Sequence, residues 1–138
     1  GKALLVVNTA SQCGYTPQYK GLEALYQAYR ARGFEVLAFP SNDFGAQEPG
    51  TNTEIKSFCE LKYKTTFPLF AKVAVKGPQA HPLYKYLAGL PKNGGEPTWN
   101  FNKYLVNAKG EVVAHLPSGA DPMSDDVKKQ VEALLPAK

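Results

Sequence analysis

Residues 3–39 read ALLVVNTASQCGYTPQYKGLEALYQAYRARGFEVLAF, which is the pattern of a strand, a helix and a second strand. Ala3–Val7 is a short apolar run with β-branched residues, typical of a strand buried on both faces. Apolar and aromatic side chains then recur at three- and four-residue spacing, which predicts a helix that buries Leu22, Leu25, Tyr26 and Tyr29. Phe34–Phe39 follows as the second strand, so we expect a βαβ unit with a right-handed crossover.

Residues at the ends of this first helix mark its boundaries. Thr16 is predicted to supply a capping hydroxyl, and Pro17 to occupy the first helical position. Gly33 predicts the C-terminal stop. Because a central strand does not usually open a chain, we also expect that an N-terminal segment precedes the numbered sequence.

The rest of the chain continues the alternation of strands and helices. Thr51 with Glu54 predicts a capping box for a helix over 52–62, after a polar loop at 40–50. The later elements are an extended apolar stretch at 67–75, a short helix from His81-Pro82 to Gly89, a hairpin of 104–106 with 111–115, and a last helix capped by Ser124. This order predicts a thioredoxin-like α/β sandwich, with a central mixed sheet flanked by helices.

Composition restricts the function classes. The chain has 138 residues, 43% of them hydrophobic, and is expected to fold as a single domain over residues 1–138. Its formal charge of +4 includes only two arginines, Arg30 and Arg32, which argues against a nucleic-acid partner. The apolar run Ala3–Val7 is far too short to span a membrane. The chain has only two Cys and two His, which excludes a disulfide-stapled scaffold, and these residues lack the spacing of metal ligands. Thiols this sparse fit a reducing, cytoplasmic compartment.

Cys13 stands just after the first predicted strand and just before the first predicted helix. Ligands of open α/β sheets bind at this carboxyl edge of the strands. A helix N-terminus nearby would favour the thiolate over the thiol. The alternative is a buried, inert Cys that packs as a small apolar residue. The neighbours Ser11, Gln12 and Gly14 are not core residues, so the position favours a reactive thiol.

Three segments carry a family resemblance. They are NTASQCGYTPQY at 8–19, FPSNDFGAQEPG at 39–50 and WNFNKYLV at 99–106. In this order and at these spacings they resemble the sequence blocks of the glutathione peroxidase family, and the similarity covers the whole chain. The resemblance implies a non-haem thiol peroxidase that reduces hydrogen peroxide and organic or lipid hydroperoxides without a metal or other cofactor. Relatives begin with an N-terminal β-hairpin, and we expect either that this chain lacks it or that the numbering starts after it.

The resemblance also implies a catalytic tetrad. Cys13 matches the peroxidatic residue, which is selenocysteine in some members and Cys in others. Gln47, Trp99 and Asn100 match its three polar partners, whose amide and indole N–H groups stabilise negative charge without ionising. Taken singly, each partner has a structural alternative: Trp99 as a core aromatic, Gln47 as a loop amide and Asn100 as a turn former.

Cys59 is the second thiol, on the helix predicted after the Gln47 loop. In the Cys-type members that use thioredoxin as reductant, a resolving Cys occupies the matching helix. The resemblance therefore implies that Cys59 condenses with a Cys13 sulfenic acid to a disulfide that thioredoxin reduces. The alternative is that Cys59 faces the core beside Phe58.

The chain departs from many relatives at two positions. Ser41 stands where they have Cys, and Asp43 where they have Gln. Loss of a third thiol outside the tetrad leaves the mechanism intact. A carboxylate at position 43 would raise the pKa of the Cys13 thiol if the two groups lay close together.

Charge and loop length bear on the partners. Between residues 56 and 92 there are seven Lys and only one acidic residue, Glu60. This positive charge could attract glutathione, an acidic reductant or an anionic lipid surface, or it could simply belong to a solvated face.

The segment between His81 and Trp99 lacks the long insertion with which tetrameric relatives assemble, so we expect a monomer with an open site. Two alternatives to the thioredoxin-dependent enzyme stay open: direct reduction by glutathione with Cys59 idle, and a peroxide sensor that passes its oxidation to a partner protein.

Overall fold

A computed structural model describes residues 2–135 as an α/β fold built on a four-stranded sheet. The strands are β1 (Ala3–Thr9), β2 (Phe34–Pro40), β3 (Lys103–Val106) and β4 (Val112–Leu116), in the spatial order β2-β1-β3-β4. β1 pairs in parallel with β2 and antiparallel with β3, and β3 and β4 form an antiparallel hairpin. The predicted mixed sheet, its central first strand and its late hairpin are therefore confirmed.

Within residues 2–135 four helices accompany the sheet. They are α1 (Gln18–Tyr29), α2 (Asn52–Phe58), α3 (Pro82–Ala88) and α4 (Asp125–Glu132). A 3₁₀ turn, Arg30–Arg32, follows α1, and Gly33 closes it in the left-handed region at φ 91°. A π-helical turn, Cys59–Tyr63, follows α2. No helix in residues 2–135 combines the length and apolarity needed to cross a bilayer.

Local capping explains where the later helices begin. The Thr51 hydroxyl accepts from the Glu54 N–H at 3.2 Å, and the Glu54 carboxylate accepts from the Thr51 N–H at 2.9 Å, which completes the predicted capping box. Ser124 accepts from the Val127 N–H at 3.3 Å and so caps α4, as predicted.

The capping role predicted for Thr16 is wrong. Its Oγ1 accepts from the Cys13 N–H at 2.9 Å and donates to the Ala10 carbonyl at 2.7 Å. These two bonds close the connection between β1 and α1, so the hydroxyl is not available to the helix, which starts only at Gln18. Local bonds of a Thr hydroxyl to nearby backbone groups compete with helix capping, and here the local bonds form.

The core forms two layers, one on each face of the sheet. On one face β1 and β2 pack against α1, α2 and α4. On the other face they pack against α3 and against Val73 and Val75 of the extended segment 67–75, whereas Phe67 and Leu69 of that segment belong to the first layer. This segment runs along β2, with the Phe70 N–H donating to the Ala38 carbonyl and the Val73 N–H to the Pro40 carbonyl, both at 2.9 Å. It thereby covers the edge strand of the sheet, which would otherwise expose unpaired backbone groups.

Candidate active site

Cys13 lies in the turn that connects the carboxyl end of β1 to α1. Its thiol is free and only 8% exposed, and the Tyr15 N–H donates to its sulfur at 3.3 Å. The predicted position at the carboxyl edge of the sheet is confirmed. Because α1 starts only at Gln18, the N–H that contacts the sulfur belongs to the turn and not to the helix terminus.

Gln47 is held beside Cys13 through the backbone. The Gln12 N–H donates to the Gln47 carbonyl at 3.0 Å, so the residue that precedes Cys13 is bonded directly to the Gln47 loop. Gly45 and Ala46 both adopt left-handed conformations, at φ 67° and 52°, and turn the chain before Gln47. A side chain at Gly45 would lie 3.1 Å from the Trp99 ring, so the loop approaches Trp99 closely at this point.

Trp99 and Asn100 lie on a strained turn just before β3. Phe101 holds φ at 62°, a conformation that a non-glycine residue adopts only when its surroundings enforce it. Asn8 of β1 enforces it here: its carbonyl accepts from the Phe101 N–H at 2.6 Å, and its Nδ2 donates to the Trp99 carbonyl at 2.9 Å. Since β3 runs antiparallel to β1, the turn lies at the same edge of the sheet as Cys13.

The two amide side chains meet at this edge. Asn100 is fully buried, and its Nδ2 donates to the Gln47 Oε1 at 2.8 Å. Accepting this bond leaves the Nε2 amide of Gln47 to act as a donor. The Trp99 ring packs against Phe44 at a centroid distance of 5.6 Å and remains 36% exposed. The structure therefore brings the Cys13 turn, Gln47, Trp99 and Asn100 together at one edge of the sheet.

Cys59 is fully buried at the start of the π-helical turn and is a free thiol. It belongs to the core layer that also contains Tyr19 and Ile55. Burial raises the pKa of Cys59 to about 11, because the thiolate loses its hydration there. In this state of the protein Cys59 faces the core, as in the structural alternative considered for it.

Asp43 and Ser41, the two departures from many relatives, have structural partners. Asp43 Oδ2 accepts from the backbone N–H of Val75 at 2.7 Å and of Lys76 at 3.3 Å. Ser41 is buried, and its Oγ accepts from the Asp43 N–H at 3.3 Å. The carboxylate is thus used to hold the segment at 75–76 against the 40–50 loop.

Sequence reasoning missed Asn8. The available signal was a polar residue that follows directly on a buried apolar run, since such a residue needs a defined hydrogen-bond partner. Among residues 2–135 no three His, Cys, Asp or Glu side chains are grouped so that they would hold a metal ion.

Comparison with known proteins agrees with this geometry. The family model for glutathione peroxidase matches residues 1–88. The hydroperoxy fatty acid reductase gpx1 of Synechocystis sp. is 54% identical, over 98% of this chain and 83% of that protein. The glutathione peroxidase-like peroxiredoxin gpx1 of Schizosaccharomyces pombe is 49% identical, over 98% of this chain and 85% of that protein.

Solved structures confirm the fold. The crystal structure of Trgpx in its apo form superimposes with a TM-score of 0.73 at 37% identity, over 96% of this chain and 80% of that one. A thioredoxin-family thiol:disulfide interchange protein from Chlorobium tepidum reaches a TM-score of 0.66 at 16% identity, over 96% of this chain and 79% of that one, which supports the thioredoxin-like fold alone. The sequence matches, taken with this fold and with the site at the edge of the sheet, place the chain in the glutathione peroxidase family of peroxidases.

Proposed function

We propose that this peroxidase works through Cys13 as its nucleophile. The Cys13 thiolate attacks an oxygen of the hydroperoxide, an S–O bond forms, and the O–O bond breaks. The departing oxygen takes up a proton and leaves as water or an alcohol, and Cys13 is oxidised to a sulfenic acid. The observation that supports this role best is the Gln47–Asn100 amide pair, which the Gln12–Gln47 bond ties to the Cys13 turn.

The polar partners stabilise the negative charge that passes from the sulfur to the departing oxygen during the reaction. The Tyr15 N–H already contacts the sulfur, and the free Nε2 amide of Gln47 and the Trp99 indole N–H are donors that stay neutral at every working pH. Donors fixed in advance stabilise negative charge on sulfur and on the departing oxygen without reorganising. Asn100 then orients Gln47 by donating to its Oε1.

Cys59 is proposed to resolve the sulfenic acid. Its sulfur attacks the Cys13 sulfur, the S–S bond forms, the S–O bond breaks, and the hydroxyl leaves as water with the proton of the Cys59 thiol. Because a disulfide requires Cα atoms within about 7 Å, and Cys59 starts inside the core, the turn Cys59–Tyr63 has to unwind. A π-helical turn after a seven-residue helix is a suitable place for that change.

A dithiol protein of the thioredoxin class completes the proposed cycle. Its two thiols reduce the 13–59 disulfide by exchange and become a disulfide themselves. For substrates we propose hydrogen peroxide and organic or lipid hydroperoxides, since one relative is named a hydroperoxy fatty acid reductase and the exposed Trp99 and Tyr15 offer apolar surface at the site. We also propose that the protein is a monomer and that it is cytoplasmic. The Lys-rich region between residues 56 and 92 is proposed to make weak contact with anionic lipid.

Substitution of the nucleophile tests this proposal. Cys13→Ser removes only the sulfur, so it should abolish peroxide consumption while the folded far-UV spectrum is kept. Consumption should be measured for wild type with thioredoxin, with glutathione and with neither reductant. Turnover with glutathione alone would favour the one-Cys enzyme, and stoichiometric oxidation without turnover would favour the sensor. A Cys13→Ser variant within a few-fold of the wild-type rate would contradict the proposal altogether.

A further inference from the structure

Two successive backbone carbonyls at the Trp99–Asn100 turn are held by buried side chains that lie beyond the turn. The Ser118 hydroxyl donates to the Asn100 carbonyl at 2.5 Å. The side-chain nitrogen of Lys103 donates to the carbonyl of the next residue, Phe101, at 2.8 Å. Since Lys103 is fully buried and Ser118 nearly so, these bonds take the place of water that the carbonyls cannot reach.

Lys103 and Ser118 are also bonded to each other and to the helix that follows the nucleophile. The Lys103 nitrogen donates to the Ser118 carbonyl at 3.2 Å. The same carbonyl accepts from the Nε2 of Gln18 at 2.7 Å, and Gln18 is the first residue of α1. The two residues therefore join the backbone of the turn to the start of α1, in addition to the bond between Gln12 and Gln47.

The position of Lys103 in the sheet is unusual for a lysine. On β3 it stands opposite Val7 of β1 and Leu116 of β4, where an apolar side chain would be expected. No carboxylate within residues 2–135 forms an ion pair with it, and burial lowers the pKa of Lys103 to about 8. Because a buried polar group lowers stability unless it is hydrogen-bonded, packing alone gives no reason for a lysine here. Its bonds to the two carbonyls do.

These bonds do not depend on the charge of Lys103. An ammonium carries three N–H groups and a neutral amine carries two, so the carbonyls of Phe101 and Ser118 both find a donor in either state. The Ser118 hydroxyl stays neutral at every working pH. The arrangement is thus a matter of geometry.

The backbone that these bonds hold is strained. Phe101 has φ at 62°, and a non-glycine residue stays in that region only when several surrounding contacts enforce it. The Asn8 carbonyl provides one such contact through the Phe101 N–H, and the Lys103 nitrogen provides a second through the Phe101 carbonyl. Removal of one contact should let the turn relax, and the side chains of Trp99 and Asn100 would shift with it.

We propose that Lys103 and Ser118 are positioning residues of the peroxidase site. By holding the carbonyls of Phe101 and Asn100 they keep the turn in its strained conformation, which sets the directions of the Trp99 and Asn100 side chains. Neither residue is assigned a contact with the peroxide. The inference rests on the proposed roles of Trp99 and Asn100.

The fluorescence of Trp99 tests the positioning without any turnover. Trp99 is the only tryptophan of the chain and is 36% exposed, so quenching by acrylamide reports on the turn directly. Lys103→Met removes the donors but keeps a long side chain, and Ser118→Ala removes a single oxygen. Both should raise the quenching constant of the reduced protein above the wild-type value. Lys129→Met, on the exposed face of α4, is the matched control and should leave it unchanged.

The rate of Cys13 oxidation tests the consequence for the reaction. It should be measured with one equivalent of hydrogen peroxide in the Cys59→Ser background, which stops the proposed reaction at the sulfenic acid. Lys103→Met and Ser118→Ala should each be slower by on the order of tenfold, less than the hundredfold that a displacement of 1 Å can cost. A residue that only stabilised the fold would lower the free energy of unfolding in urea and leave this rate unchanged in the folded protein.

Two results would overturn the inference. One is a wild-type quenching constant of Trp99 in both variants, and the other is a wild-type oxidation rate in both. If Lys103→Met fails to fold, Ser118→Ala decides alone, because it deletes only one hydroxyl. Absence of peroxide consumption in the wild type would contradict the proposed function instead, and the quenching measurement would still decide whether Lys103 and Ser118 position the turn.

Discussion

Asn8 follows directly on the apolar run of β1, yet it is fully buried, and both its side chain and its carbonyl bind the turn that carries Trp99 and Asn100. A single polar residue thus connects the strand that precedes the nucleophile to the turn that supplies its partners. Asn100 likewise uses both its side chain and its backbone: the side chain orients Gln47, and the carbonyl accepts a hydrogen bond from Ser118. At the scale of residues, Asn8 and Asn100 each use both a side-chain NH₂ group and a backbone carbonyl to hold the site together.

Removal of one amide partner should slow the proposed reaction without stopping it. Gln47→Ala and Asn100→Ala each delete one preorganised polar group, and a lost donor of this kind costs on the order of a hundredfold in kcat. Steady-state peroxide consumption measures the effect, with Gln130→Ala on the exposed face of α4 as a neutral control. Wild-type rates in both site variants would show that the roles implied by the resemblance do not hold in this chain.

The buried thiol of Cys59 should make the stability of the reduced protein depend on pH. Its folded-state pKa of about 11 lies above the value in the unfolded chain, so the folded state binds the proton more tightly. The resulting stabilisation is complete at neutral pH and is lost as pH rises from about 9 to about 11, by at most roughly 2 to 3 kcal/mol.

Urea denaturation of wild type and Cys59→Ala at several pH values isolates this contribution. Lys103, whose pKa burial lowers to about 8, changes stability in the opposite direction, and so only the difference between the two proteins is informative. A difference in unfolding free energy that stays constant from pH 8 to pH 11 would show that Cys59 does not titrate as its burial requires.

At the scale of elements, α2 and the turn that follows it form the least regular part of the fold. The capping box fixes the start of α2, whereas Cys59–Tyr63 continues in π-helical geometry and Lys64 ends the segment in a left-handed conformation at φ 54°. A non-glycine residue in that region costs about 1 kcal/mol or more. The start of this segment is therefore secured locally, and its end depends on packing of Cys59 and its neighbours into the core.

Oxidation should make the π-helical turn Cys59–Tyr63 and the preceding α2 mobile. One equivalent of peroxide is expected to give an intramolecular 13–59 disulfide and to lower amide protection across residues 52–64, while α4 keeps its protection. Hydrogen exchange and mass spectrometry of the linked peptides measure both effects. Cys59→Ser should instead accumulate a sulfenic acid at Cys13. If wild type yields only sulfenic or glutathionylated Cys13, Cys59 is not the resolving thiol and the glutathione-dependent alternative is favoured.

At the scale of the whole molecule, the sheet separates two core layers, and the site lies at the edge where both layers end. α1, α2 and α4 pack on the side of Cys13 and Cys59, and α3 with Val73 and Val75 packs on the side of Phe39 and Tyr84. This arrangement leaves Trp99 at the surface and Asn100 inside. One side of the site is thus open to peroxide, and the other is anchored in the core.

The protein should be a monomer under reducing conditions. The connection from α3 to Trp99 is short, and the net charge of +4 opposes self-association at low salt. Sedimentation equilibrium should give the mass of one chain over a wide range of concentrations. A concentration-dependent shift toward twice that mass would contradict the expectation and would direct attention to a face that includes the exposed side chains of Phe70 and Tyr86.

The sequence alone was sufficient for features that depend on neighbours in the chain. The apolar run of β1, the capping box of Thr51 with Glu54, the Gly33 stop and the late hairpin all follow from residues within one turn or strand of one another. The three sequence blocks likewise indicated the family, because residue types and spacings are visible without coordinates. Fold class and the list of candidate site residues therefore needed no tertiary structure.

Tertiary structure alone decided which distant groups share a hydrogen bond. Asn8 with Phe101, Gln47 with Asn100, and His115 with Asn102 are brought together only when the sheet forms. The same holds for the Thr16 hydroxyl, which serves Cys13 and Ala10 instead of a helix, and for Cys59, whose burial sets its pKa. A side chain with several possible partners takes those that the folded backbone leaves unsatisfied, and which groups these are depends on packing between segments far apart in the sequence.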